Sequence, residues 1–131
     1  IEENDVKPSD GLVELIMDAK EKEMGIALAS SSTRILVDDS LRLLGIAEQF
    51  DVTVSGDEIP KKKPAPDVYL KVLELTGVNA EEAVAVEDSR AGIEAAKAAG
   101  IFCYGYDNPT SGMQDISKAD QQIKSIRDIK V

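Results

Sequence analysis

Apolar residues along this chain alternate between spaced patterns and short continuous runs. After Ser9, a residue able to cap a helix, Leu12, Leu15, Ile16 and Ala19 recur at i, i+3, i+4 and i+7, which predicts a helix that ends near Gly25. Residues 26–29 then form an unbroken apolar run closed by three serines, the pattern of a buried parallel strand. Val37, Leu41 and Leu44 restore the helical period over residues 33–44, with Gly45 in the position of a C-terminal cap.

The same alternation continues to the far end of the chain. A strand at 52–54 precedes a helix that opens at Pro66, turns Val68, Tyr69, Val72 and Leu73 inward, and stops before Gly77. A third strand at 83–86 runs into a helix over about 89–99 closed by Gly100, and a fourth strand follows at 101–106. After Pro109 the chain is polar and turn-rich until Ile123, Ile126 and Ile129, which read as a weak last strand or helical turn. Short strands alternating with longer helices predict an α/β fold with a doubly wound parallel sheet, and no linker or repeat divides residues 1–131 into more than one domain.

Composition narrows the chemistry. The chain has 131 residues, 43% of them hydrophobic, enough for a real core, and no stretch of it is long and apolar enough to span a bilayer. Its net charge of −10 argues against nucleic acid or an acidic membrane surface as a partner. A single cysteine, Cys103, fits a reducing compartment, so a cytoplasmic location is expected. With no histidine, the chain cannot build a Ser/His/Asp triad or a histidine-ligated zinc site, so its chemistry must rest on carboxylates, hydroxyls and lysines.

In open parallel sheets, ligands bind beyond the carboxyl ends of the strands. Three such ends carry polar groups: Ser30, Ser31 and Ser32 after the first strand, Lys61, Lys62 and Lys63 after the second, and Glu87, Asp88 and Ser89 after the third. Adjacent acids at a strand end suit Mg²⁺, which takes one or two carboxylates together with water and phosphate oxygens. Asp88 and Ser89 are equally good helix caps. Lys63, stiffened by Pro64 and Pro66, can neutralise a phosphate or a carboxylate, whereas Lys61 and Lys62 read as solvated. Ser30 and its neighbours, at the start of a helix with free N–H groups, suit an anion, and without a histidine to activate it Ser30 is assigned to phosphate binding and not to covalent catalysis.

Taken in order, Ala29-Ser30-Ser31-Ser32, Lys63-Pro64-Ala65-Pro66-Asp67 and Val86-Glu87-Asp88-Ser89-Arg90-Ala91-Gly92-Ile93-Glu94 resemble motifs II, III and IV of the haloacid dehalogenase (HAD) superfamily, nearest to its β-phosphoglucomutase-like phosphatases. The resemblance runs from about Pro8 to Tyr106. It implies that Ser30 and Ser31 bind the phosphoryl group, that Lys63 steadies the charge shared by phosphate and nucleophile, and that Asp88 and Glu87 help hold Mg²⁺. Family members also carry an Asp-x-Asp motif after their first, central strand. No such motif precedes Ser30, and Asp5, Asp38 and Asp39 do not follow a strand.

The expected structure is therefore an incomplete Rossmann-like HAD core lacking its central strand, which would lie between the strands that end in Ser30 and Glu87. The expected function is part of a Mg²⁺-dependent phosphatase or phosphomutase acting on a small phosphorylated metabolite such as a sugar phosphate. The aspartyl-phosphate would form on an aspartate outside these residues, so the chain alone is expected to be inactive. The other reading is a non-catalytic phosphate-binding or interaction domain of the same fold. Only about 33 residues separate the first strand from Lys63, too few for a cap domain there. A missing N-terminal segment, or self-association, is expected to cover the exposed strand edges.

Overall fold

The computed structural model describes residues 12–30, 32–45, 47–107 and 114–129. In chain order it comprises α1 (Leu12–Glu21), β1 (Ala27–Ala29), α2 (Arg34–Leu44), β2 (Val52–Val54), α3 (Asp67–Thr76), β3 (Val84–Glu87), α4 (Arg90–Ala98), β4 (Phe102–Tyr106) and β5 (Gln121–Ile123). Short 3-10 turns at Gly56–Glu58 and Ile126–Asp128 follow β2 and β5.

Local chemistry sets the helix limits. Thr33 caps α2 by accepting from the Leu36 N–H at 3.4 Å, and Ser89 caps α4 by accepting from the Gly92 N–H at 3.0 Å. Gly45 (φ 71°) and Gly77 (φ 72°) take the left-handed conformation that ends α2 and α3. Helix α1 stops at Glu21, earlier than the expected end near Gly25. Glu23 itself turns left-handed (φ 58°) and the Met24 N–H bonds back to the Ala19 carbonyl, so the exit needs no glycine.

Every strand pair is parallel, as the alternation predicts. The strands form two sheets: β1 with β2, and β3–β4–β5. Among the described residues β1 and β3 share no ladder hydrogen bonds, so each has one edge without a strand partner. That break falls where the resemblance puts a further central strand. The C-terminal isoleucines form both candidate elements, with Ile123 ending β5 and Ile126 opening the last 3-10 turn.

The main core lies between α3, α4 and one face of the sheets, around Val54, Val68, Ile93 and Cys103. Full burial of a side chain such as Ile93 or Val68 contributes about 1.5–3 kcal/mol. A second cluster holds Val37 and Leu41 of α2 against Leu28, and a third packs Ile123, Ile126 and Ile129 on Leu15 of α1. The first strand is not buried as its run suggested: Ala27 is exposed, and Leu28 and Ala29 are only half-buried. On β3 burial alternates, with Ala85 inside and Val84 and Val86 outside; Val84 pairs in register with Phe102, which is also exposed. Farther along the same face Tyr104 and Tyr106 pack with Leu15 and the C-terminal isoleucines, so only its Val84–Phe102 end stays open. No described helix is long and apolar enough to cross a membrane.

Candidate functional site

Lys63 reaches the site from the loop that launches α3. Its ammonium donates to the Ala29 carbonyl at the end of β1 (3.1 Å) and to Glu87 Oε2 at the end of β3 (2.7 Å). One side chain thus links the ends of two strands that belong to separate sheets. Both partners are well inside, with 12% of the Lys63 side chain and 9% of Glu87 exposed. Lys61 and Lys62, by contrast, are exposed, as expected.

Glu87 is the final residue of β3 rather than the first beyond it. The period-2 alternation that buries Ala85 therefore buries Glu87 as well, on the side facing α3 and α4. Its Oε2 also accepts a short hydrogen bond from the Tyr69 hydroxyl. The carboxylate lies over the Cα of Gly92, where an added Cβ would fall 1.9 Å from Oε1, so only glycine leaves room for this acid at that point of α4. Burial and the adjacent Glu87 charge push the Tyr69 phenol well above its ordinary range, which keeps it a hydrogen-bond donor.

Ser30 stands next to this cluster. Its N–H bonds the Val54 carbonyl at 2.9 Å, tying the end of β1 to β2, and its Oγ accepts from the Ser32 N–H at 3.0 Å. Ser31 lies outside the described residues, as does Asp5. Asp38 and Asp39 sit on the exposed side of α2, paired with Arg34 (3.1 Å) and Arg42 (2.9 Å).

The N-terminus of α2 corrects one expectation. Its first N–H is not left open for a ligand, because Asp57 accepts the Arg34 N–H through both oxygens at 3.1 and 3.2 Å. A carboxylate of the chain already occupies the favourable end of the helix. Around it, the Arg34 guanidinium bonds Thr53 Oγ1 (2.6 Å), the Thr53 carbonyl (2.7 Å) and Glu58, while in fully buried Ser55 the hydroxyl donates to Asp57 and the N–H to Glu58 (2.8 Å). Gly56 N–H bonds the Ser32 carbonyl at 2.7 Å, so this network also braces the serine loop. The Ser55-x-x-Glu58 spacing is the sequence signal that points to it, a capping box read across a 3-10 turn.

Asp88 follows Glu87 directly and is half-buried. Two adjacent carboxylates at a strand end match the small protein share that Mg²⁺ takes beside water and phosphate oxygens. Among the described residues no group of three or more such acids or thiols gathers. Glu87 Oε2 is engaged by Lys63 and Tyr69, and Asp88 stands one residue farther along the chain.

The Haloacid dehalogenase-like hydrolase family model matches residues 1–106 of this chain. A phosphorylated carbohydrates phosphatase of Thermotoga maritima is 42% identical over 96 residues, covering 73% of this chain and 44% of that protein. The crystal structure of CbbY from Rhodobacter sphaeroides in complex with phosphate superposes with a TM-score of 0.85 at 33% identity, covering 91% of this chain and 54% of that one. A putative beta-phosphoglucomutase from Thermotoga maritima gives a TM-score of 0.81 at 36% identity, over 90% and 56% of the two chains. The chain spans about half the length, or less, of the curated relatives it matches. A family match over most of the chain, on a fold whose strand ends bring Ser30, Lys63 and Glu87 together, means that the chain belongs to the haloacid dehalogenase-like hydrolases, in their β-phosphoglucomutase-like phosphatase subgroup.

Proposed function

We propose that these residues form the C-terminal part of the core of a Mg²⁺-dependent phosphatase or phosphomutase for a small phosphorylated metabolite, a sugar phosphate by analogy with its relatives. The observation that carries this reading is the state of Lys63. An ammonium has three donors, and only two acceptors meet it among the described residues, the Ala29 carbonyl and Glu87. In this reading the third donor serves an anion at the end of β1, beside Ser30. In a site this enclosed a fixed positive charge acts strongly on a phosphoryl group, because little solvent reorganises as charge develops.

In this reading Lys63 and the hydroxyl of Ser30 hold the phosphoryl oxygens, with Ser31 assisting. Asp88, with Glu87 behind it, would hold Mg²⁺, which would supply further charge neutralisation on the phosphate. The attacking carboxylate would be an aspartate outside these residues: its oxygen bonds phosphorus as the ester P–O bond breaks and the metabolite leaves as a protonated alcohol, and the aspartyl-phosphate then passes its phosphoryl group to water or to a second hydroxyl.

The test is to extend the reading frame upstream and assay Mg²⁺-dependent release of phosphate from p-nitrophenyl phosphate and from sugar phosphates. The longer protein should turn over, the 131-residue chain should not, and Lys63→Ala and Asp88→Asn should each lower kcat at least about a hundredfold. An inactive longer protein, or activity indifferent to Asp88→Asn, overturns the reading.

A further inference from the structure

The site holds one polar group to which neither the motifs nor the proposed chemistry gives a task. Tyr69 is 8% exposed, on the first turn of α3, six residues after Lys63. Its hydroxyl donates to the same Glu87 oxygen that accepts from Lys63. Its ring also lies against the ammonium, with Lys63 Nζ 5.6 Å from the ring centroid. The other tyrosines of the chain, Tyr104 and Tyr106, are on β4 beside the isoleucine cluster, away from this group.

We propose that Tyr69 is a positioning residue that acts through Glu87 on Lys63. Two donors and the bare surface of Gly92 fix the carboxylate in one orientation, and the fixed carboxylate holds the ammonium at the end of β1. Without the hydroxyl, Oε2 has Lys63 as its single partner, and a carboxylate held from one side turns with the lysine instead of anchoring it. The ring face supports the ammonium, and the phenol adds no charge, so Lys63 keeps its remaining donor for an anion. This inference rests on the phosphate-binding reading of Lys63 for its functional meaning, but its geometry can be tested separately.

The experiment uses the 131-residue chain and Tyr69→Phe, with two readouts beside a melting curve. The first is hydrogen exchange of the Lys63 ammonium followed by ¹⁵N NMR. The second is titration with inorganic phosphate. Tyr69→Phe should speed Lys63 exchange roughly tenfold, the scale that one charge-assisted hydrogen bond supports, and weaken phosphate binding several-fold. A folded variant whose Lys63 exchange equals that of the parent chain overturns the proposal. If exchange quickens but neither chain binds phosphate, the positioning role stands and the phosphate-binding reading of the site falls. Should the variant fail to fold, the parent chain itself decides. A protected Tyr69 hydroxyl proton with a cross-peak to the Lys63 ammonium supports the role, and absence of that cross-peak rules it out.

Discussion

Lys63 and Glu87, 24 positions apart in sequence, meet at 2.7 Å where almost no solvent reaches either charge. Such a pair stabilises a fold less than its short distance suggests, because both ions were better hydrated in the unfolded chain. It is, however, expensive to break from one side. Lys63→Met should lower stability in urea unfolding by about 3–5 kcal/mol, since it leaves Glu87 buried without a countercharge. The double variant Lys63→Met, Glu87→Met should lose much less than Lys63→Met alone. It still strands the Tyr69 hydroxyl, so adding Tyr69→Phe should recover part of the remaining loss.

Gly92 and Glu87 form a second linked pair. Gly92→Ala places a methyl group inside the space of the carboxylate, 1.9 Å from Oε1 and 2.4 Å from the carboxyl carbon. Glu87 must swing out and drag Lys63 and Tyr69 with it, at a cost of about 1–3 kcal/mol by analogy with overpacked cores. Gly45→Ala is the control: the added Cβ there meets nothing within 4 Å, and only the left-handed backbone resists it. Melting curves should therefore show the larger drop for Gly92→Ala, and only that variant should shift the NMR signals of Lys63.

Much of the fold could be read locally. Glycines at 45 and 77, prolines at 64 and 66, and the cap Ser89 mark element ends because each acts on a backbone group a few residues away. Ser30, Lys63 and Glu87 could be placed near one another because a parallel sheet gathers its strand ends on one side. What the sequence hid depends on distant partners. Tyr69 reads as one more inward residue of α3 until Glu87, 18 positions on, is seen beneath its hydroxyl. Asp57 reads as a loop acid until it is found on the first N–H of α2, 23 positions back. The exposed face of Val84 and Val86 could not be anticipated either, since an apolar run shows what a strand can bury and not whether a layer lies over it.

The Ser55–Asp57–Arg34 network makes a prediction about titration. The Ser55 hydroxyl first, and then the Arg34 backbone N–H, hold the Asp57 carboxyl below its ordinary range. A depressed carboxyl adds stability above its unfolded value, near 3.9, and that stability is lost as pH falls through the folded value. Ser55→Ala should move the Asp57 titration, followed by ¹³C NMR, up toward the ordinary range. It should also bring acid unfolding to a higher pH and lower the urea midpoint at neutral pH through the lost hydrogen bond.

At the other end of the pH scale the governing group is Cys103. It is fully buried, and burial first, with the Glu87 and Asp120 charges adding to it, pushes its thiol up to about 12. In the unfolded chain the thiol ionises near 8.5, so above that pH the unfolded state gives up a proton that the folded state keeps. By linkage the folded form then loses about 1.4 kcal/mol per pH unit, and the loss ends only as pH rises through the folded value. Between roughly pH 8.5 and 10, below the ordinary range of tyrosine and lysine, this thiol should dominate the slope. Above 10 the raised Tyr69 phenol adds a further loss of the same sign. Cys103→Ala should be less stable at neutral pH because it leaves a small void in the main core, yet its stability should stay flat over that window. Urea midpoints at half-unit steps of pH separate the two effects, since the void lowers every point equally and the thiol alone sets the slope.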